Sequence, residues 1–517
     1  MGRKMKKKIL GISVCILLMA AAVPLTESSK NIMMYPTLPR SSETSMAGNW
    51  TEWQKLLASD LVTHHNFGCS VSLDGDTALI GAIRDTDNGA DSGSAYVFTR
   101  NDTTWTQQAK LLPSDGEAGD WFGYSVSLSG DTALIGVYMD NNYTGSAYVF
   151  NRTGTTWMQQ QKLLASDGET GDFFGFSVSL AGNTALIGAR DDDTKGSAYV
   201  FTRTGTTWTQ KAKLLASDGA AHDNFGCSVA LDGDTALIGA MRNLNNGTIS
   251  GSAYVFTRNN TTWTQQAKLF ASDGEDQDWF GVSVSLSDDT ALIGASLDDD
   301  NGALSGSAYV FTRTGITWTQ QAKLLASDGA TLDYFGSSVS LSDDTALISS
   351  AWANDTKGSA YVFTRTGTTW TQETKLLASD GARGDYFGYS VSLTGNTALI
   401  GAKYDTDNGY DSGSAYVFTK IGLIFNIAGG LGVNLKLTNN GPANASGVPW
   451  RIHVEGGILG RINKTMNGTI DIPAEGSKTV WTGMFFGFGA ISITVKVADE
   501  EKTTEGTQFF ILTMIKK

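Results

Sequence analysis

The chain is poor in proline, with seven in 517 residues, about 1% against the roughly 5% of ordinary proteins. With 60 glycines and no Gly-X-Y period, this excludes collagen and proline-rich stalks. It suits many short strands joined by tight turns. Cysteine is scarcer still: of three, Cys15 lies in an apolar N-terminal run, which leaves Cys69 and Cys227. No zinc spacing can be built from two cysteines. They occupy the same position in two non-adjacent repeats, so they read as buried free thiols. The four histidines, His64, His65, His222 and His453, share no spacing, which leaves no cluster for a histidine-based metal hydrolase. Charged residues make up 17% of the chain, and 38 Lys and Arg face 52 Asp and Glu, a formal net charge of −14. That sign argues against nucleic acid as a partner. Hydrophobic residues at 41% still supply a sizeable core, so the chain is not a disordered one.

Long apolar runs are missing beyond the N-terminus. There, Arg3, Lys4, Lys6, Lys7 and Lys8 precede a 14-residue uncharged stretch from Ile9 to Ala22. Ala20-Ala21-Ala22 supplies a small-x-small cleavage pattern, so residues 1–22 read as a secretory signal and 23–47 as a linker. An uncleaved anchor is the alternative, but a span needs about 20 apolar residues. Removal of the leader leaves 33 basic against 52 acidic residues, a charge of −19. The mature chain is then expected outside the cell and not as an integral membrane protein.

What the sequence does hold is a repeat. Trp50, Trp105, Trp157, Trp208, Trp263, Trp318 and Trp370 each stand five residues before a Lys-Leu pair. Phe-Gly follows at 67, 122, 174, 225, 280, 335 and 387, with the same intervals of 55, 52, 51, 55, 55 and 52. Each copy reads as four strands, in copy two WTQQAKLL, FGYSVSL, TALIG and GSAYVFTR, separated by turn signals. Four strands per repeat, seven times over, is the pattern of a β-propeller. A linear solenoid, the alternative, needs distinct capping repeats, and the end copies are as regular as the middle ones.

The Phe-Gly, Ala-Leu-Ile-Gly-Ala and Gly-Ser-Ala-Tyr-Val-Phe elements resemble FG-GAP repeats, the blades of the integrin α-chain head and of many microbial surface proteins. The resemblance implies that Phe-Gly opens the innermost strand of a blade and that the Trp strand is the outermost strand of the blade before it. The strand at 50–57 then completes the seventh blade and closes the ring. The chain departs from the family in lacking the final proline of the GAP element and in having Ser349 for its glycine in copy six. Integrin calcium loops join the first two strands of a blade. Here that link is a tight turn such as Leu73-Asp74-Gly75-Asp76, so those calcium sites do not carry over.

Strand order puts the loops before Phe-Gly and after TALIG on one face. That face carries 31 of the 52 acids against seven bases: Arg84, Arg190, Lys195, Arg242, Lys357, Arg383 and Lys403. Such a field attracts cations and basic ligands. Two features recur in it. The loop before Phe-Gly reads Asp-Gly-x-x-x-Asp in copies two to seven, and in five copies the residue preceding Phe-Gly is aromatic. Aromatic and carboxylate beside a pore mouth make a sugar-binding chemistry, with Trp121, Phe173, Trp279, Tyr334 and Tyr386 beside Asp120, Asp172, Asp278, Asp333 and Asp385. The plainer alternative is that each aromatic covers the next blade's glycine. After TALIG, Asp85, Asp87 and Asp91 recur as Asp405, Asp407 and Asp411, and Asp298 to Asp300 precede Asn-Gly. Carboxylates two apart beside a glycine turn can present oxygens to calcium, the one cofactor expected, although the spacing is not that of an EF-hand. Solvated acidic turns are the alternative.

Residues 421–517 leave the repeat and read as a small Ig-like β-sandwich. Through the NNGPANA turn and the IPAEGSKTV stretch they resemble bacterial and archaeal adhesion modules of the CARDB type. Eleven Asn-x-Ser/Thr sequons suit a glycosylated surface protein. No catalytic constellation stands out. The sequence therefore predicts an all-β chain, a seven-bladed propeller over 48–420 followed by a sandwich. Its expected role is that of a secreted or surface binding and adhesion protein whose acidic face meets an extracellular protein, a glycan or cations. A carbohydrate-active enzyme with carboxylates at the pore mouth and a structural cell-envelope protein are the alternatives.

Overall fold

The computed structural model describes residues 44–45 and 50–515, apart from 61–62, 102–103, 245–246 and, near the C-terminus, 421–422, 429–431, 440–444, 459–460, 474–475, 485–486, 498–499 and 511. The expected leader at 1–22, nearly all of the 23–47 linker and most of the NNGPANA turn lie outside the described residues.

Seven four-stranded antiparallel sheets follow the seven repeats. In the first they are Phe67–Asp74, Thr77–Ala82, Ser94–Asn101 and Thr104–Leu111. The fourth strand of the seventh sheet comes from the other end of the repeat region. Trp50–Leu56 pairs antiparallel with Ser414–Lys420, in a register that sets Trp50 opposite Lys420 and Leu56 opposite Ala415. Closed in this way, the last sheet has four strands like the others, and Ser414–Lys420 is not left as its edge.

The core lies between blades. One cluster joins Leu79, Ala95 and Val97 of the first blade to Phe122, Ile135, Tyr148 and Phe150 of the second, and the pattern recurs around the ring to Leu399, Ala415 and Val417 against Phe67 and Tyr96. Every motif phenylalanine is buried. In the first blade Phe67 meets Tyr96 and Phe98 edge-to-face at 5.4 and 6.0 Å. Burial of each such ring is worth about 2–3 kcal/mol.

Two glycine slots explain why blades approach so closely. The glycine of Gly-Ser-Ala-Tyr-Val-Phe bridges the next blade's phenylalanine, as Gly93 does Phe122 and Gly413 does Phe67. A Cβ on Gly413 would stand 2.1 Å from the Phe67 carbonyl oxygen. The Phe-Gly glycine has φ between +86° and +94° in all seven blades, a region open to glycine and costly to other residues. It lies in a bulge: in the third blade Phe174 pairs with Ala189, and pairing resumes only at Ser177. A bulge re-aims the side chain beside it, and here it turns the residue after glycine towards the ring axis.

The C-terminal residues form a small β domain of two sheets. One holds Leu423–Ala428, Asn434–Asn439 and Ser477–Trp481 with Thr44–Ser45 at its edge, and the other has five strands. A single core of Val433, Leu435, Leu437, Ile452, Val454, Ile493 and Val495 lies between them. Among the described residues no helix is long and apolar enough to cross a membrane.

Candidate functional site

The two long loops of each blade meet on one face, and lysines organise them. In the first blade the Tyr96 hydroxyl lies between two carboxylates, 2.9 Å from Asp60 and 2.8 Å from Asp85. Lys110, from the outer strand, brings its Nζ within 2.8 Å of Asp60, Asp85 and Asp87. Lys323 repeats the arrangement with Asp273, Asp298 and Asp300, and Lys55 with Asp380, Asp405 and Asp407. Lys162 and Lys213 each hold two or three aspartates, while Lys268 and Lys375 hold one each. Burial pushes the carboxyls of Asp85 and Asp405 up, but hydrogen bonds from the lysine, a backbone N–H and the tyrosine outweigh it. Both therefore lie below the usual carboxylate range.

These contacts revise the charge count. Seven outer-strand lysines belong to the sheet by sequence, yet their ammonium groups reach the loop face. The opposite face is balanced too, since Arg100, Arg258, Arg313 and Arg365 donate through Nε to Asp76, Asp234, Asp289 and Asp344 at 2.6 Å. Of the residues expected to offer oxygens to calcium, Asp85 and Asp87, Asp298 and Asp300, and Asp405 and Asp407 are drawn together in pairs, each around a lysine Nζ. Asp91 and Asp411 stand apart, near Arg84 at 4.0 Å and His64 at 3.6 Å. Among the described residues no group of three or more His, Cys, Asp or Glu side chains is disposed to hold a metal ion.

The aspartates before Phe-Gly lock their own turns. Asp120, Asp172, Asp278, Asp333 and Asp385 are buried. Each accepts the backbone N–H three residues back, from Glu117, Glu169, Glu275, Ala330 and Ala382, at 2.6–2.8 Å. Burial raises all five carboxyl pKa values, that of Asp278 to about 6.

The aromatic position behaves differently. Trp121, Phe173, Trp279, Tyr334 and Tyr386 are half-buried, and all five have positive φ, between +52° and +59°. The two copies without an aromatic carry Asn66 and Asn224 in the same conformation, the residue type that tolerates it best after glycine. Four of the five aromatics gather in two clusters. Trp121 and Phe173 both pack on Tyr138, at 6.0 and 5.6 Å, and Tyr138 packs on Tyr124 at 4.4 Å. Tyr334 and Tyr386 both pack on Trp352, at 5.1 and 5.7 Å, and Tyr386 continues to Tyr404 at 5.3 Å. Trp279 has the Arg242 guanidinium over its ring at 5.9 Å.

Each cluster includes a cation that spacing alone does not mark. Arg190 lies over Phe176 at 4.2 Å. Lys403 lies over Tyr389 at 4.5 Å and Tyr404 at 5.0 Å, and donates to the Tyr389 hydroxyl at 3.2 Å. Burial works against its charge, but Tyr389, Cys69 and Tyr404 outweigh it, and its pKa lies above the ordinary value. Tyr124, Phe176, Tyr389 and Lys403, with Cys69 and Cys227, line an axial cavity of about 300 Å³. Both cysteines are buried free thiols, and burial pushes their pKa up, to about 11 at Cys227. The signal for this lining was present in the repeat. The position after Phe-Gly reads Cys69, Tyr124, Phe176, Cys227, Val282, Ser337 and Tyr389, variable where its neighbours are constant, and the position after the second strand adds Ile83 and Lys403.

Comparison with curated proteins finds no match. Comparison with protein families finds the FG-GAP repeat at residues 50–98, 105–150, 157–201, 208–256, 263–311, 318–363 and 370–418, one match for each blade. With well over half of its length in these seven matches and a four-stranded blade built on each, the chain belongs to the FG-GAP repeat family.

Proposed function

We propose that the propeller is a non-catalytic binding module acting outside the cell, and that its long-loop face holds a glycan through the two aromatic clusters. FG-GAP repeats occur in cell-surface and adhesion-type proteins, which sets the broad class. The observation that carries the glycan reading is the strained aromatic position. A bulky residue at positive φ costs on the order of 1 kcal/mol. Asn66 and Asn224 show that the blade folds with asparagine there. Packing alone does not call for aromatics in five copies, and flat, half-exposed rings are what a sugar face stacks on. The C-terminal β domain fits an Ig-like spacer or second contact of the CARDB kind.

A glycan array and a pull-down, with and without EDTA, test the reading. Trp121→Asn and Tyr386→Asn keep the backbone conformation and remove the rings, so each is expected to lose about tenfold or more in glycan affinity with only a small loss of thermal stability, as relief of the positive-φ strain offsets the lost contacts to Tyr138 and Trp352. Capture of an extracellular protein with no glycan bound would replace the sugar by a protein ligand. The buried carboxyl of Asp278, poised near pH 6, is the feature that favours a glycosidase as the second reading, and sugar released from a bound glycan would select it.

A further inference from the structure

We propose that the axial cavity binds an acidic monosaccharide, its carboxylate held by Lys403 and the Tyr389 hydroxyl and its ring against Tyr124 and Phe176. The choice of a sugar rests on the glycan reading of the loop face; the choice of an anion does not.

The anion follows from Lys403. It is 8% exposed, and its polar contact is the Tyr389 hydroxyl. The seven outer-strand lysines all have carboxylate partners, yet among the described residues no carboxylate pairs with Lys403 and none lines the cavity. A buried ammonium without a counter-ion is costly, and only one of the other six blades, with Arg190, places a cation at this position. The wall offers little other compensation. Six of its eight serine hydroxyls are committed to the next blade's glycine carbonyl, as Ser70 is to Gly123 at 2.7 Å and Ser390 to Gly68 at 3.0 Å, while Ser337 pairs with Ser349 and Ser338 accepts the Val391 N–H. Arg190 adds a second cation beside the cavity. Its Nε is buried with no hydrogen-bond partner, and its nearest carboxylate oxygen, on Asp191, is 3.4 Å away. In a chain of net charge −14, the axis is thus locally positive.

Size and walls narrow the anion. About 300 Å³ is at the lower edge of small-molecule sites and takes one sugar residue. Tyr124 and Phe176, 5.1 Å apart, supply ring faces, and the cation–phenol pair supplies a charge-assisted donor set for a carboxylate. A uronic acid, free or at the end of a glycan, has both the acid and the ring.

The test is calorimetry on the full chain with glucuronate, with glucose as the neutral control and acetate as the bare carboxylate. Glucuronate is expected to bind about tenfold or more tighter than either, and more weakly as salt rises. Lys403→Met should lower glucuronate affinity about tenfold or more and Tyr389→Phe about threefold. Without ligand, Lys403→Met should melt higher than the parent because an unpaired charge is gone. A folded Lys403→Met protein that binds glucuronate as the parent does would overturn the site. So would a parent insensitive to salt, or a Tyr389→Phe protein with unchanged affinity should Lys403→Met not fold. Glucose binding as well as glucuronate would overturn the anion, and acetate binding as well would overturn the sugar. Neutral glycans bound on the array with no glucuronate binding would sink the cavity site and leave the loop-face reading. Glucuronate binding lost in Lys403→Met, with no glycan retained by the loop face, would do the reverse.

Discussion

Lys55 and Asp405 lie 350 residues apart in the chain and 2.8 Å apart in space. Their contact ties the strand that closes the ring to the loop of the last blade. Asp405 is 3% exposed and also accepts the hydroxyls of Ser414 and Tyr416, both at 2.8 Å. Lys55→Met would leave that carboxylate buried without its ammonium, at a cost of about 3 kcal/mol or more. Lys268 holds one partner, Asp218, which is half exposed, so Lys268→Met should cost under about 1 kcal/mol. Urea unfolding of the two proteins should separate them clearly, and equal losses would contradict the network.

Closure makes a second, coarser prediction. Trp50–Leu56 covers the outer edge of Ser414–Lys420. Deleting residues 48–58 uncovers that edge and removes Trp50 and Leu56 from two inter-blade cores. The protein should aggregate or lose its cooperative melt, read by size-exclusion chromatography and calorimetry. A soluble deletion protein with a single sharp transition would show that the ring does not need its closing strand.

The ring was legible because its determinants are local and repeated. Phe67 and its six counterparts recur at blade spacing with the same turn signals, and each packs within its own blade on residues such as Tyr96 and Phe98. The site was less legible because its partners are distant. Lys110 serves Asp60, 50 residues upstream, and not Asp115, five residues on. Its charge therefore lands on a face that strand order alone does not assign to it. The five aromatics before Phe-Gly were visible as a pattern, but their division into two clusters depends on Tyr138 and Trp352, which repeat spacing does not single out. Tyr124, Phe176 and Tyr389 follow the Phe-Gly glycine, and their inward aim comes from the bulge there, a backbone irregularity that a strict two-residue alternation conceals.

The lysines also set the response to calcium. Each cluster of carboxylates is held around an ammonium, so a divalent ion must displace a cation already hydrogen-bonded to two or three oxygens. The melting temperature of the parent is expected to stay unchanged in millimolar Ca²⁺ or in EDTA. Lys323→Met removes the ammonium from Asp273, Asp298 and Asp300 and should convert the cluster into a calcium-sensitive one. A Ca²⁺-dependent rise in the parent would show that the lysine yields its place.

Asp278 makes the sharpest pH prediction. Burial holds its carboxyl pKa near 6, above the ordinary 3.8. In the unfolded chain the group ionises near pH 4, so between about pH 4 and 6 the folded state binds the extra proton. Stability from this group is fully present below pH 4 and is lost as pH rises through 6. At about 1.4 kcal/mol per tenfold in proton affinity the ceiling is about 3 kcal/mol, and relaxation of the loop should reduce it to about 1–2 kcal/mol. Asp278→Asn retains an oxygen to accept the Glu275 N–H, bonded at 2.6 Å in the parent, and carries no charge to desolvate. It should therefore be more stable than the parent at pH 7 and indistinguishable from it at pH 4. Urea unfolding at the two pH values reads the difference. A destabilised Asn protein at pH 7 would mean that the ionised carboxylate, and not the geometry of the turn, is what the loop requires.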